Sequence, residues 1–326
     1  MTELKEKLYQ MFILGLDGGN YKQALKEGLG GVIFFTKDIQ SAEQFKNLTK
    51  EIKNQSKTPP FLSIDQEGGR VERTENIHNG KKYLSAKFAC EKGKDFLTAQ
   101  TEEIAQELVS YGINLNFAPC IDTNTNPNNP IIGERAFSSN PDEVIKCEKI
   151  VSEIYRKNKI IPCVKHFPGH GDANADSHLT LPKIDLPLQE MEQTHIKPFK
   201  SAINNGIEMI MAAHLHCTCF EKEPIPTSLS KNALSYLREK LGFNGVIISD
   251  DMVMKGVSAF GEVEACEMAI KAGVNLFIYR FSDEKTINII EKIYQKAIID
   301  DELKGNIEFS YNKIMELKNK FLKMES

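Results

Sequence analysis

Long apolar runs are missing from this chain: none approaches the roughly 20 residues that cross a bilayer. The opening M-T-E-L-K-E-K-L-Y-Q carries acids and no apolar core, which argues against a secretory leader. Net charge is scarce as well. Lys and Arg total 41 against 45 Asp and Glu, a balance of -4 that offers no general attraction to nucleic acid or an anionic membrane. The seven cysteines are odd in number, scattered, and contain no C-x-x-C pair. A reduced, soluble, cytoplasmic chain is therefore expected rather than a disulfide framework. There is no Pro/Ser-rich linker, low-complexity stretch or strong internal repeat, and one domain over residues 1–326 is expected.

What is present is a hydrophobic fraction of 41%, enough for a large core, arranged as eight short apolar runs. They are Met11–Leu16, Gly31–Phe35, Phe61–Ile64, Leu115–Ala118, Ile160–Val164, Met209–Ala213, Gly245–Ile248 and Asn275–Tyr279. Most are apolar throughout rather than alternating, as in parallel strands covered on both faces. Segments of helical periodicity lie between them, including Ala42–Ile52, Phe96–Leu108 and Ala233–Leu241. After the last run, Ile307, Tyr311, Ile314, Leu317 and Phe321 form the stripe of a closing amphipathic helix. Eight such alternations predict an α/β fold, a (β/α)8 barrel. A doubly wound sheet is the competitor, but no G-x-G-x-x-G follows the first run.

Reactive side chains gather where a barrel would place its site, just after the strands. Asp65 follows the third run, Asp122 the fourth and Lys165-His166 the fifth. His214 and His216 follow the sixth, and Asp250-Asp251 the seventh. Their repetition at one end of successive strands predicts a common rim. Of the two adjacent aspartates, Asp251 suits a helix cap, while Asp250, nearer the strand, has the rigidity that a nucleophile needs. The fifth run opens into K-H-F-P-G-H-G-D-A-N-A-D-S-H-L-T-L-P, residues 165–182, which holds a lysine, three histidines and two aspartates. Within it, Asp176 and His178 stand two apart, close enough for the carboxylate to set the imidazole tautomer and raise its pKa. Asp65 and Arg73 flank the paired glycines Gly68-Gly69, and Arg135 is the reaching group of the loop that begins at Asn126. A metal-dependent hydrolase could draw on the same histidines and aspartates. No H-x-H follows the first run, no H-E-x-x-H occurs, and Lys165 sets a cation beside His166, so no catalytic metal is expected.

Taken together and in order, I-D-Q-E-G-G-R-V-E-R, the P-N-N-P-I-I-G-E-R segment, K-H-F-P-G-H-G-D-A-N-A-D-S-H and G-V-I-I-S-D-D-M resemble glycoside hydrolase family 3. The likeness is closest to its single-domain bacterial β-N-acetylglucosaminidases and covers most of the chain. The resemblance implies Asp250 as nucleophile and His178, paired with Asp176, as acid/base. It implies that Asp65, Arg73, Arg135, Lys165 and His166 hold the terminal N-acetylglucosamine. No cofactor is implied. The implied substrate is N-acetylglucosamine linked to anhydro-N-acetylmuramic acid, with or without peptide, in peptidoglycan recycling. Phosphorolysis, β-glucosidase activity and a non-catalytic sugar-binding module remain alternatives. Two departures from the family pattern, T-E-N-I-H-N-G-K-K-Y after Arg73 and Tyr279-Arg280-Phe281 at the last strand, are expected to touch the leaving-group side.

Overall fold

Each of the eight apolar runs contributes one strand to a closed barrel in the computed structural model, which describes residues 2–174 and 181–322. In chain order the strands are β1 (Phe12–Asp17), β2 (Gly31–Phe34), β3 (Phe61–Ile64), β4 (Leu115–Asn116) and β5 (Ile161–Phe167). They continue as β6 (Lys183–Ile184), β7 (Met209–Ala212), β8 (His216–Cys217), β9 (Val246–Asp251) and β10 (Leu276–Phe281). The barrel runs β1-β10-β9-β7-β5-β4-β3-β2, and every pairing around it is parallel. The short strands β6 and β8 pair outside it as a separate two-stranded sheet. The architecture is the predicted α/β barrel.

The strands are largely apolar because barrel filling covers one face and helices cover the other; β2, β3 and β7 have no exposed residue. Several helices start at a capping side chain. Ser41 accepts from the Gln44 N–H ahead of Ala42–Gln55, and Asp283 accepts from the Thr286 N–H ahead of Glu284–Ala297. The helix predicted over Ala233–Leu241 begins as Lys231–Ser235 and ends in a wide π turn, Tyr236–Lys240, in which Leu241 N–H donates to Tyr236 O at 3.1 Å. The closing helix spans Asp301–Phe321; Ile307, Ile314 and Leu317 of its stripe are buried, while Tyr311 and Phe321 stay half-exposed. The same helix carries Lys318 beneath the barrel, where its ammonium donates to Gln10 Oε1 (2.7 Å) and Gly30 O (2.9 Å).

Four strands run further than their apolar runs, β1 to Asp17 and β10 to Phe281 among them. β5 continues through Lys165 and His166 to Phe167, which pairs with Ala212, and β9 continues to Asp251, which pairs with Ile278. The polar side chains predicted to follow these strands thus lie inside them. Among the described residues, no helix is long and apolar enough to cross a membrane.

Candidate active site

Asp250, the next-to-last residue of β9, lies at the mouth of the barrel, partly open to a cavity of about 290 Å³. That volume is at the small end of the range for organic ligands. Asp65, Arg73, Arg135, Lys165 and His166 line the same cavity, so the five residues predicted to bind sugar and the predicted nucleophile share one space. Burial alone would raise the Asp250 carboxyl. His166, His214, a hydrogen bond from the Asp251 N–H (2.7 Å) and Lys165 together outweigh it and hold the group below its ordinary pKa. Asp250 is ionised at neutral pH.

The cations are fixed by a carboxylate that sequence reasoning passed over. Glu67 has a side chain only 4% exposed and accepts from Arg135 Nε (2.9 Å), Arg135 Nη2 (2.8 Å) and Lys165 Nζ (2.6 Å). Burial pushes its pKa up, but Arg135 and Lys165 overcome that and leave it well below the carboxylate range. Lys165 also donates to Asp65 Oδ1 at 2.7 Å, and Arg73 stands 4.0 Å from the other oxygen of Asp65. Each group in this chain of charges is paired, which is what lets Lys165 remain charged while 2% exposed. The loop that carries Glu67 turns on Gly68 (φ 94°) and Gly69 (φ 61°). A Cβ would come within 2.4 Å of Leu84 O at the first and 2.6 Å of Ser85 Cβ at the second, so neither position admits a side chain. The only sequence signal for Glu67 was its place two residues past Asp65.

Asp122 lies beneath the cavity rather than on its rim. Its carboxylate accepts from His166 Nδ1 (2.7 Å) and from the backbone N–H groups of His166 (3.2 Å) and His170 (2.7 Å). That bond sets the His166 tautomer and turns Nε2 toward Arg135 Nη2, 3.5 Å away. Cys120, Asp122 and His166 bring three ligand-type atoms within 4.8 Å of one another. A cation held there would have to displace the proton shared by Asp122 and His166.

Other expectations for the rim are corrected. His214 is buried behind Asp250, between Ser228 Oγ (2.7 Å) and Asp251 O (3.1 Å), and His216 bonds Glu221 O at 2.9 Å, away from the cavity. Asp251 caps no helix: its carboxylate accepts from Val253 N–H and pairs with Arg280, because the chain must first turn before Lys255–Ser258 begins. Of Tyr279-Arg280-Phe281, only Arg280 lines the cavity. The segment after Arg73 is fastened away from it, with His78 between Glu72 and Glu107 at 2.7 Å each and Tyr83 donating to Glu107. Asp176 and His178 lie outside the described residues.

Residues 3–316 match the family described as the glycosyl hydrolase family 3 N terminal domain. The chain belongs to glycosyl hydrolase family 3. It is 32% identical over 320 residues to beta-hexosaminidase A of Pseudoalteromonas piscicida, covering 90% of this chain and 53% of that protein. It is 35% identical to the beta-hexosaminidase of Tolumonas auensis over 257 residues, 77% of this chain and 75% of the relative. The solved family 3 β-N-acetylglucosaminidase of Paenibacillus sp. str. FPU-7 superposes with a TM-score of 0.90 at 30% identity, over 98% of this chain and 63% of that one. The family 3 barrel described here thus spans about half the length of the first of these relatives.

Proposed function

We propose that this chain is a retaining exo-β-N-acetylglucosaminidase that removes terminal N-acetylglucosamine from peptidoglycan-derived fragments in the cytoplasm, with residues 1–326 acting as one catalytic domain. The observation that carries this reading is the Asp250 carboxylate near the end of β9, lining a cavity crowded with paired cations that favour its charged form. The relatives, beta-hexosaminidases and a β-N-acetylglucosaminidase, supply the sugar class.

In the first step an Asp250 oxygen attacks the anomeric carbon as the bond to the leaving oxygen breaks, and His178 delivers its proton to that oxygen. A covalent glycosyl ester remains on Asp250. In the second step neutral His178 takes a proton from water, the water oxygen attacks the same carbon, and Asp250 departs as carboxylate. Asp176 orients His178. Asp65, Arg73, Arg135, Lys165 and His166 hold the non-reducing sugar through hydroxyl and carbonyl contacts, so that binding of non-reacting groups aligns the reacting carbon.

Asp250→Ala is expected to abolish turnover of an aryl β-N-acetylglucosaminide while the protein stays folded, and a slowly turned-over substrate should leave its sugar on Asp250 in the wild type. Sugar found on Asp251, or on no residue, would refute the assignment. Running the assay against an aryl β-glucoside, with and without phosphate, separates hydrolysis of N-acetylglucosaminides from β-glucosidase activity and from phosphorolysis.

A further inference from the structure

Four of the cysteines stand in two close pairs that take no part in the proposed chemistry, Cys90 with Cys147 and Cys217 with Cys219. The second pair is local, two residues apart with sulfurs 3.5 Å from each other. The first joins parts of the chain 57 residues apart, and its sulfurs lie 2.7 Å from each other. Cys90 sits near the end of the helix Ala86–Glu91 and is half-exposed; Cys147 lies in the helix Pro141–Lys157 and is buried. Burial, together with the bond to Cys90, pushes the Cys147 thiol above its ordinary pKa, so an outside reagent meets Cys90 first.

These two helices back the loops that build the site. The helix Ala86–Glu91 packs against the turn Gly133–Arg135, which carries Arg135. Ser85, just before that helix, closes on Gly69 of the loop that carries Glu67. The helix Pro141–Lys157 follows the Arg135 loop directly. A covalent tie between them would brace the Glu67–Arg135 pair from outside without entering the cavity.

We propose that Cys90 and Cys147 are a thiol–disulfide exchange site that takes a low-molecular-weight disulfide and converts reversibly into a cross-link between the two helices. The Cys90 thiolate attacks one sulfur of the disulfide RSSR, forming Cys90–S–S–R and releasing RS⁻. The Cys147 sulfur then attacks the Cys90 sulfur, the Cys90–SR bond breaks, and the Cys147 proton leaves with the departing thiol. The balance is two protein thiols and RSSR giving one protein disulfide and two RSH. The sulfurs are already adjacent, so the nucleophile of the second step stands next to the sulfur it attacks.

The test uses the full chain and oxidised glutathione as the probe. After acid quenching and alkylation, a peptide map should show Cys90 joined to Cys147, the intact mass should fall by two hydrogens, and dithiothreitol should reverse both. The cross-linked form should melt about 3–8 °C higher, with kcat/KM within roughly twofold of the reduced form because neither cysteine lines the cavity. Cys147→Ser should trap glutathione on Cys90, and Cys90→Ser should yield neither cross-link nor adduct at position 147. The proposal fails if both wild-type thiols stay open to alkylation, if Cys147→Ser captures no adduct on Cys90, or if the cross-link forms with no rise in Tm.

Discussion

Replacing Glu67 by glutamine tests whether one buried carboxylate organises the cations of the site. The amide keeps the shape and one acceptor oxygen, but its NH2 must face a cation, and the charge that three donors at 2.6–2.9 Å converge on is lost. Hydrogen bonds to a charged partner contribute about 1.5–3 kcal/mol each. With at least one bond lost and the others weakened, Glu67→Gln should cost about 2–4 kcal/mol and lower the Tm by roughly 3–8 °C. Unpinning Lys165 and Arg135 should lower kcat/KM on an aryl β-N-acetylglucosaminide by about 10–100-fold, since small displacements of positioning groups are magnified in the rate. The pH dependence has a definite sign. Glu67 is depressed in the folded protein, so its stabilisation is complete above the unfolded value near 4.5 and declines as pH falls below it. The difference in stability between wild type and Glu67→Gln should therefore be flat from pH 5 to 8 and shrink in acid. A variant with unchanged Tm and unchanged kcat/KM would mean that the carboxylate does not hold these cations in place.

His178→Ala should lose far more activity on substrates with basic leaving groups than on activated aryl glycosides, because a good leaving group needs little protonation; Asp176→Ala should give a weaker version of the same slope. Equal losses on every leaving group, measured as kcat/KM against leaving-group pKa, would remove His178 from the proton-transfer role. Asp122→Asn should reduce kcat/KM by about tenfold or more on all aglycones alike, since His166 loses the partner that sets its tautomer; an effect confined to one aglycone would contradict this. Burial pushes Lys318 down to about 7, so the unfolded chain holds a proton there that the folded chain lacks between pH 7 and about 10.5. Wild-type stability should accordingly gain on Lys318→Met as pH rises through that window, by at most about 1.4 kcal/mol per pH unit, and parallel curves of denaturation free energy against pH would refute it.

Local pattern was sufficient for the barrel. An apolar run of four to six residues has few places to go in a chain of this composition, and eight of them separated by helical segments leave one economical closure. The order of the strands and the side of the barrel that carries the site follow from the same reading. Asp65, Lys165, His166 and Asp250 could be singled out because charged types beside a strand end stand out against apolar surroundings, and Arg135 because it is the reaching group of the loop that begins at Asn126. Where β5 and β9 stop could not be read that way. β5 carries Lys165 and His166 before its final Phe167, β9 ends in Ser249, Asp250 and Asp251, and an apolar criterion ends each strand at the first such polar residue.

Which polar groups face the cavity, and which serve beneath it, belonged to the tertiary structure alone. Glu67, Asp122 and His214 look no different in sequence from the residues on the rim. Glu67 becomes the hub because strands β3 and β5 and the Arg135 turn bring its carboxylate against Lys165 and Arg135, partners 98 and 68 residues away by position. Asp122 falls below the floor because it must meet His166, 44 residues on. The composition and period of the chain determined the fold, since those are properties of short segments. A buried charge is tolerated only when an opposite charge meets it, and that meeting is decided by strands that are distant in sequence and adjacent in the closed barrel.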